Sequence, residues 1–273
     1  MPKTIALMTD FGLEDIYVGV MKGVMRGICA DADLIDITHF IPPQSVASAA
    51  LALKNSVVFF PIDTIFLTIV DPDVGSNRLP IVVQADNYVF VAPDNGVLSF
   101  VLTNFPNYVA YRIENRQYAL SRVSATFHGR DIFAPCAAHL ANGVPPEAFG
   151  RKLDSIVTLS TPRLSVENGQ IVGGIAHIDH FGNIITNIST LLWDENQTLT
   201  LDRHDLSFSA KIAQVTIGKT VLKGIVRAYY EVPAGELLAQ IDSTGALEIA
   251  IYKGNAQAKL GAKVGDSVSI NWV

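Results

Sequence analysis

The sequence predicts two folded parts: an α/β N-terminal domain over residues 1–163 with a mostly parallel sheet, and a smaller all-β C-terminal domain over 170–273. Three observations carry this. Up to Asp71, apolar runs of strand length alternate with segments of helical period, a β-α-β-α-β order that implies a parallel sheet with helices on its faces. Composition shifts at Leu159-Ser160-Thr161-Pro162, and helical periodicity largely vanishes beyond it. Alternating apolar and polar stretches punctuated by Gly, Asp and Asn then take over, the pattern of a mainly antiparallel barrel or sandwich.

Taken in order, Thr4 to Met8 reads as a short strand that breaks at Thr9-Asp10-Phe11-Gly12. Asp15 is placed to cap a helix from Tyr17 to about Ile28, with Val18, Met21, Val24 and Met25 on one face. Leu34 to Thr38 is a second strand ending at His39, and Ser45 to Lys54 a second helix. The β-branched run Thr64 to Val70 reads as a buried strand that stops on Asp71-Pro72-Asp73, and Gly75 then turns the chain. Asp86-Asn87 between Ile81–Ala85 and Tyr88–Val91 signals a hairpin. Pro93-Asp94-Asn95-Gly96 is a second acidic turn, after which Val97 to Leu102 is expected to begin a helix. A further helix is expected over Ile132 to Leu140, with Pro135 tolerated only near its start. Past the composition shift, strands are expected at Ile171–Ile178, Ile184–Ile188, Thr198–Leu201, Leu206–Phe208 and Lys211–Ile217.

Bulk properties narrow the function. The chain of 273 residues is 49% hydrophobic and 17% charged, enough for a sizeable core. Net charge is −6 without a Lys/Arg cluster, which argues against nucleic-acid or anionic-membrane partners. Met1-Pro2-Lys3 leads straight into a strand, so no signal peptide is expected, and no apolar run reaches membrane-spanning length. Cys29 and Cys136 are isolated in apolar surroundings and read as buried free thiols of a cytoplasmic protein.

Polar groups collect at strand ends: Asp10, His39, Asp71, Asp73, Arg78, Asp94, Asn95, His128, Arg130 and Asp131. One such residue commonly braces a loop. Several at one edge of a predicted open sheet, where ligands bind, define a candidate site. For Asp71 and Arg78 two readings stand: an ion pair holding their loop, or a pre-charged site. There is no Gly-x-Gly-x-x-Gly after the first strand, no P-loop and no Gly-x-Ser-x-Gly elbow. Asp10, Asp71, Asp73 and His128 are of types that suit a divalent ion. Asp179-His180-Phe181-Gly182-Asn183 is either a tight turn with Gly182 at positive φ or a ring, amide and carboxylate set for a planar heterocycle. Asp242-Ser243-Thr244-Gly245 is either a plain hairpin turn or a second polar ligand loop.

Together, Thr9-Asp10-Phe11-Gly12, Asp71-Pro72-Asp73-Val74-Gly75, Arg78, Asp94-Asn95-Gly96, Phe127-His128-Gly129-Arg130-Asp131, Asp179 with Phe181-Gly182-Asn183, and Asp242-Ser243 resemble one family in order along nearly the whole chain. It is the S-adenosyl-L-methionine hydrolases, or hydroxide adenosyltransferases, relatives of fluorinase and chlorinase. The resemblance implies a barrel-like C-terminal domain and a homotrimer whose ligand lies between the N-domain of one subunit and the C-domain of the next. It implies a hydroxide-handling triad of Asp71, Arg78 and His128. It places Asp10 on the ribose hydroxyls, Asn183 on adenine with Phe181 beside it, and Asp179, Ser243 and Glu248 toward the methionine end. It implies no metal and no cofactor, with S-adenosyl-L-methionine as substrate and adenosine and methionine as products.

This chain also departs from the halogenase pattern. The extra halogenase loop after the Asp-containing turn is missing, since Leu79-Pro80-Ile81 follows Arg78 directly, and one residue fewer separates Asp179 from Phe181. Gly129 stands where fluorinase donates a serine to fluoride, and chlorinase also has glycine there. Two alternatives stay open beside the hydrolase: a halide-dependent adenosyl transferase and a non-catalytic adenosine or S-adenosyl-L-methionine binder. For hydrolysis, a sulfonium substrate already has a neutral leaving group, so the nucleophile is the difficulty. Arg78 beside a water favours its anion, while His128 either orients the water or takes its proton.

Overall fold

In the computed structural model, which describes residues 3–160, 163–167, 169–204 and 206–272, the chain divides into two units, Met1–Ser160 and Thr161–Val273. The first unit holds β1 (Thr4–Thr9), α1 (Tyr17–Ile28), β2 (Asp33–Thr38), α2 (Val46–Val57), β3 (Ile65–Ile69), β4 (Pro80–Ala85), β5 (Tyr88–Pro93), β6 (Val109–Arg112) and α3 (Ala134–Ala141). Side chains alternate across a strand, so each strand of a covered sheet feeds two cores. On β1, Ile5 and Leu7 join the core under α1 and α3. Ala6 and Met8 join the one under α2, where Phe66 stacks on Phe90 with ring centroids 5.3 Å apart.

The six strands run in the order β2-β1-β3-β5-β4-β6. The β2/β1, β1/β3 and β3/β5 pairs are parallel, but β5/β4 and β4/β6 are antiparallel. The sheet is therefore mixed, with β4 and β6 joined by antiparallel pairing to a parallel β2-β1-β3-β5 part. The cause is the hairpin: with Asp86 at φ +48° the chain reverses within two residues, setting Ala85 opposite Tyr88 and β4 antiparallel between β5 and β6. The expected helix from Val97 shrinks to a 3₁₀ turn at Val101–Asn104. Asn95 Oδ1 takes the Val97 N–H, and the Ser99 N–H turns back to the Gly96 carbonyl. Asp15 does not cap α1, whose N-cap is Ile16 without a side-chain bond. Pro135 lies in the first turn of α3, where its missing N–H is harmless.

The first unit has a switch point. From β1 the chain crosses by α1 to β2 on one side, then by α2 to β3 on the other, the two helices covering opposite faces. In open sheets ligands bind at such a point, here the carboxyl ends of β1 and β3. Asp10 follows β1 and Asp71 follows β3, so the topology sets both carboxylates there.

The second unit contains β7 (Ser165–Glu167), β8 (Gln170–Ile178), β9 (Ile184–Thr186), β10 (Leu191–Trp193), β11 (Thr198–Leu201), β12 (Leu206–Ser209), β13 (Gln214–Ile217), β14 (Thr220–Lys223), β15 (Leu237–Ile241), β16 (Leu247–Ile251), α4 (Ala256–Leu260) and β17 (Ser267–Asn271). One antiparallel sheet runs β14-β13-β17-β8-β9-β16-β15, with β7 also on β8. Its outer strands nearly meet: just past β14, the Val226 N–H donates to Ala239 O on β15 at 2.9 Å. The sheet is thus an almost closed barrel around Ile171, Ile184, Val215, Ile249 and Ile270. A separate sheet orders β10-β11-β12.

Candidate active site

Past β3, the Val74 N–H returns to Asp71 O and the Ser76 N–H to Asp73 O, a pair of turns that carries Arg78 back over Asp71. Arg78 Nε lies 2.9 Å from both carboxylate oxygens of Asp71, and its Nη2 lies 2.5 Å from Oδ2. The two side chains are only 6% and 5% exposed, so the pair is screened little by solvent. Arg78 Nη2 also donates to His128 Nδ1 at 2.8 Å. Arg78, Asp71 and His128 therefore form one cluster, with the guanidinium over the Phe133 ring at 5.2 Å. Asp73, two residues after Asp71, is exposed.

His128 precedes a single π-helical turn, Gly129–Phe133, that leads into α3. The fully buried Asp131 anchors this corner by accepting from the Ser124 N–H and from Arg130. Gly75 lets the two loops meet: at φ +82°, a Cβ there would lie 2.3 Å from the Ala125 carbonyl oxygen. Asn95 Nδ2 holds the Val70 carbonyl at 2.8 Å, and the Asp94 N–H holds Leu79 O, so the second acidic turn clamps both ends of the Asp71–Arg78 loop. Burial lowers the His128 pKa, and the Arg78 charge lowers it further, against smaller opposing effects of Asp71 and Asp131. Since a guanidinium only donates, Nδ1 accepts, and the neutral ring carries its proton on Nε2.

Asp10 stands apart from this cluster in its bonding; its Oδ2 accepts the Gln44 N–H at 2.7 Å. Among the described residues no three His, Cys, Asp or Glu side chains group as a metal-ligand set, so Asp10, Asp71, Asp73 and His128 are not one.

The other expected site residues belong to the second unit. Asp179 Oδ1 accepts the N–H groups of Phe181 and Asn183, its Oδ2 accepts Asn183 Nδ2, and Gly182 sits at φ +81°. The segment is thus a tight turn, and it leaves the Phe181 ring 71% exposed. Asp242 Oδ1 likewise accepts from the Thr244 and Ala246 N–H groups, with Ser243 exposed at the tip. Glu248 on β16 is buried, and its Oε1 accepts Tyr229 Oη and Gln240 Nε2, each at 2.7 Å. Burial raises the Glu248 pKa, and the nearby Asp242 and Asp179 charges raise it further against those two bonds. Asp179, Asp242 and Glu248 therefore share one electrostatic neighbourhood. Burial and the Glu248 carboxylate push the Tyr229 phenol well up. Sequence reading missed Tyr229, Gln240 and Gln44. Gln240 faces Glu248 across the β15/β16 ladder, a pairing that only strand register reveals.

A buried carboxylate–guanidinium pair bonded to a partly buried imidazole, at the switch point of an open sheet, has the make-up of a small-molecule enzyme site. Comparison with known proteins narrows the class. Residues 5–150 match the SAM hydroxide adenosyltransferase N-terminal domain, and residues 173–269 match the SAM hydroxide adenosyltransferase C-terminal domain. The chain belongs to the SAM hydroxide adenosyltransferase family. It is 34% identical to the (R)-S-adenosyl-L-methionine hydrolase of Thermus thermophilus over 98% of this chain and 99% of that one. It is 32% identical to the enzyme of the same name from Methanocaldococcus jannaschii, over 97% and 95%. A fluorinase of Nocardia brasiliensis is 27% identical over 97% and 96%. The fold matches the crystal structure of an uncharacterized conserved protein from Thermotoga maritima with TM-score 0.88 and 40% identity, over 98% of this chain and 99% of that one.

Proposed function

We infer that this protein hydrolyses S-adenosyl-L-methionine to adenosine and L-methionine. The observation that carries the reading is the Asp71–Arg78–His128 cluster, in a chain similar along its full length to enzymes named for that reaction. A water oxygen attacks ribose C5′, the C5′–S bond breaks, its electron pair neutralises the sulfonium, and one proton is released. Arg78 stabilises the developing hydroxide. His128, with its proton on Nε2, donates to the water oxygen and orients it. Asp71, the anion of the cluster, is the group to which the proton passes. Positioning supplies much of the rate, with Asp10 on the ribose hydroxyls, Phe181 and Asn183 at adenine, and Asp179, Ser243 and Glu248 at the methionine end.

On this reading residues 1–163 form the catalytic domain, and residues 170–273 complete the ligand site of a neighbouring copy in a cytoplasmic homotrimer. Exposed Leu13, Ile16 and Phe40 near the Asp10 loop and exposed Phe181 and Tyr230 in the second unit support shared burial. No cofactor takes part, and the two cysteines are buried free thiols. Among the described residues no helix is long and apolar enough to cross a membrane.

Incubation with S-adenosyl-L-methionine and chromatography of the products tests the reading. Adenosine and methionine are expected in chelator, with or without chloride. Formation of 5′-chloro-5′-deoxyadenosine would favour the halide-using reading, tight binding with no product would favour a sensor, and loss of activity in chelator would refute the metal-free mechanism.

A further inference from the structure

The Asp10 loop is held by a segment to which the proposed chemistry assigns no role. His39 directly follows β2 and is 2% exposed. Its Nδ1 lies 2.8 Å from Thr9 Oγ1, which also accepts the Phe11 N–H. Its Nε2 lies 3.0 Å from Asp36 Oδ1, at ion-contact distance although off the hydrogen-bond line. Lys22 on α1 holds the other Asp36 oxygen at 2.6 Å. Main-chain bonds run alongside, from the Gly12 N–H to His39 O at 2.8 Å and from the Ile41 N–H to Thr9 O at 3.4 Å.

Local geometry is bent to make these contacts. The β1/β2 register slips by one residue: Leu7 faces Asp36, but Met8 faces Thr38. Without the slip Thr9 would come opposite Thr38; with Ile37 as the extra residue, it comes beside His39. Farther along, Gln44 takes φ +65°, a left-handed conformation that residues with a Cβ rarely adopt, and its N–H bonds Asp10 Oδ2. Asp36, His39 and Thr9 do not form a nucleophile relay, because Thr9 is wholly buried and no substrate can reach its hydroxyl.

We propose that His39, braced by Asp36 and Lys22, acts with the Gln44 backbone as a positioning device that orients Asp10 and presents its Oδ1 to the ribose diol. The inference rests on the reading of Asp10 as the ribose ligand. It is tested with adenosine and 2′,3′-dideoxyadenosine, their Kd values measured by calorimetry on the wild type, His39→Ala and His39→Asn, with melting curves for each. The wild type should prefer adenosine. His39→Ala should weaken adenosine about tenfold and leave the dideoxy analogue within about twofold, so the preference collapses, while KM for S-adenosyl-L-methionine rises more than kcat falls. His39→Asn, whose amide reaches the Nδ1 position, should restore most of the preference.

A folded His39→Ala that weakens both ligands equally, or neither, overturns the proposal. A wild type that does not discriminate shows instead that Asp10 does not grip the diol, and the proposal falls with that reading. Should His39→Ala fail to fold, Asp36→Asn keeps the imidazole and removes its brace. A smaller loss confined to adenosine is then expected, and an unchanged preference overturns the proposal.

Discussion

Arg78 Nη2 donates to His128 Nδ1 at 2.8 Å, although the two residues are fifty positions apart. A guanidinium cannot accept a hydrogen bond, so this contact decides the tautomer of the imidazole and leaves Nε2–H as its free edge. On the proposed mechanism, that edge is the one His128 would present to the attacking oxygen, as a donor. A brace confined to the Asp71–Arg78 loop would not need a residue from the start of the π-helical turn.

His128→Ala should lower kcat about a hundred- to a thousandfold with Kd for substrate little changed, as for a lost transition-state hydrogen bond. His128→Gln, whose amide places an N–H near the former Nε2, should recover part of that loss. Single-turnover rates check it; equal loss in Gln and Ala would return the base role to His128. Arg78→Lys keeps the charge and loses the fork to Asp71, so an intermediate defect is expected.

The His128 pKa is lowered by burial and by Arg78. The acid limb of kcat/KM should therefore lie below the ordinary histidine value of about 6.5, because a protonated ring would turn an N–H toward Arg78. Stability follows the same sign. Below about 6.5 the unfolded chain takes up a proton that the native ring resists, so His128 makes stability fall as pH falls from there to its folded pKa. Denaturant melts of the wild type and His128→Gln across that window should differ in slope.

Gly75→Ala should destabilise the fold by about 1–3 kcal/mol and lower kcat more than it raises KM. The new methyl group meets the Ala125 carbonyl and pushes the Arg78 loop away from the His128 loop. A crystal structure of the variant should show Arg78 farther from His128; an unchanged contact with wild-type kcat would contradict this account.

Glu248→Gln should raise Tm at neutral pH, since its amide oxygen can still accept from Tyr229 and Gln240 while a buried charge is removed. The gain should close as pH falls through the raised folded pKa toward the ordinary 4.5, below which the carboxyl is neutral in both states. Affinity for S-adenosyl-L-methionine should drop in the same variant if Glu248 faces the α-ammonium, as isothermal titration would report.

The proposed sharing of sites between subunits makes a further prediction. Wild type should scatter light as a trimer. Subunits carrying His128→Ala, mixed and reassembled with subunits carrying Asp179→Ala, should regain activity, because some interfaces would pair two intact halves. An active monomer, or no recovery on mixing, would count against the homotrimer.

Much of the fold was legible because its signals are local. The apolar runs ending at Thr9 and Val70, the helical stripe through Met21 and Met25, and the Asp86-Asn87 turn each follow from neighbouring residues. Sequence order shows the alternation that implies a parallel sheet but not the insertion of a strand. That β4 lies between β5 and β6 is a non-local pairing. After Gly96 the chain tightens into i→i−3 bonds, from the Ser99 N–H to Gly96 O and from the Phe105 N–H to Leu102 O, so the apolar run from Val97 does not continue as a helix.

The sequence by itself determined which chemical groups this protein has and near which strand ends they fall: Asp10, Asp71, Arg78 and His128 in the first unit, Asp179 and Glu248 in the second. Apolar periodicity and turn chemistry act over a few residues, so they place such groups without structure. Only the tertiary structure decided that Arg78 bridges Asp71 and His128, that Gln240 and Tyr229 hold Glu248, and that His39 comes beside Thr9. Each of these contacts depends on the register of a ladder or the meeting of two loops. Register is set by the packing of whole strand faces against a core, and that information is spread over the chain.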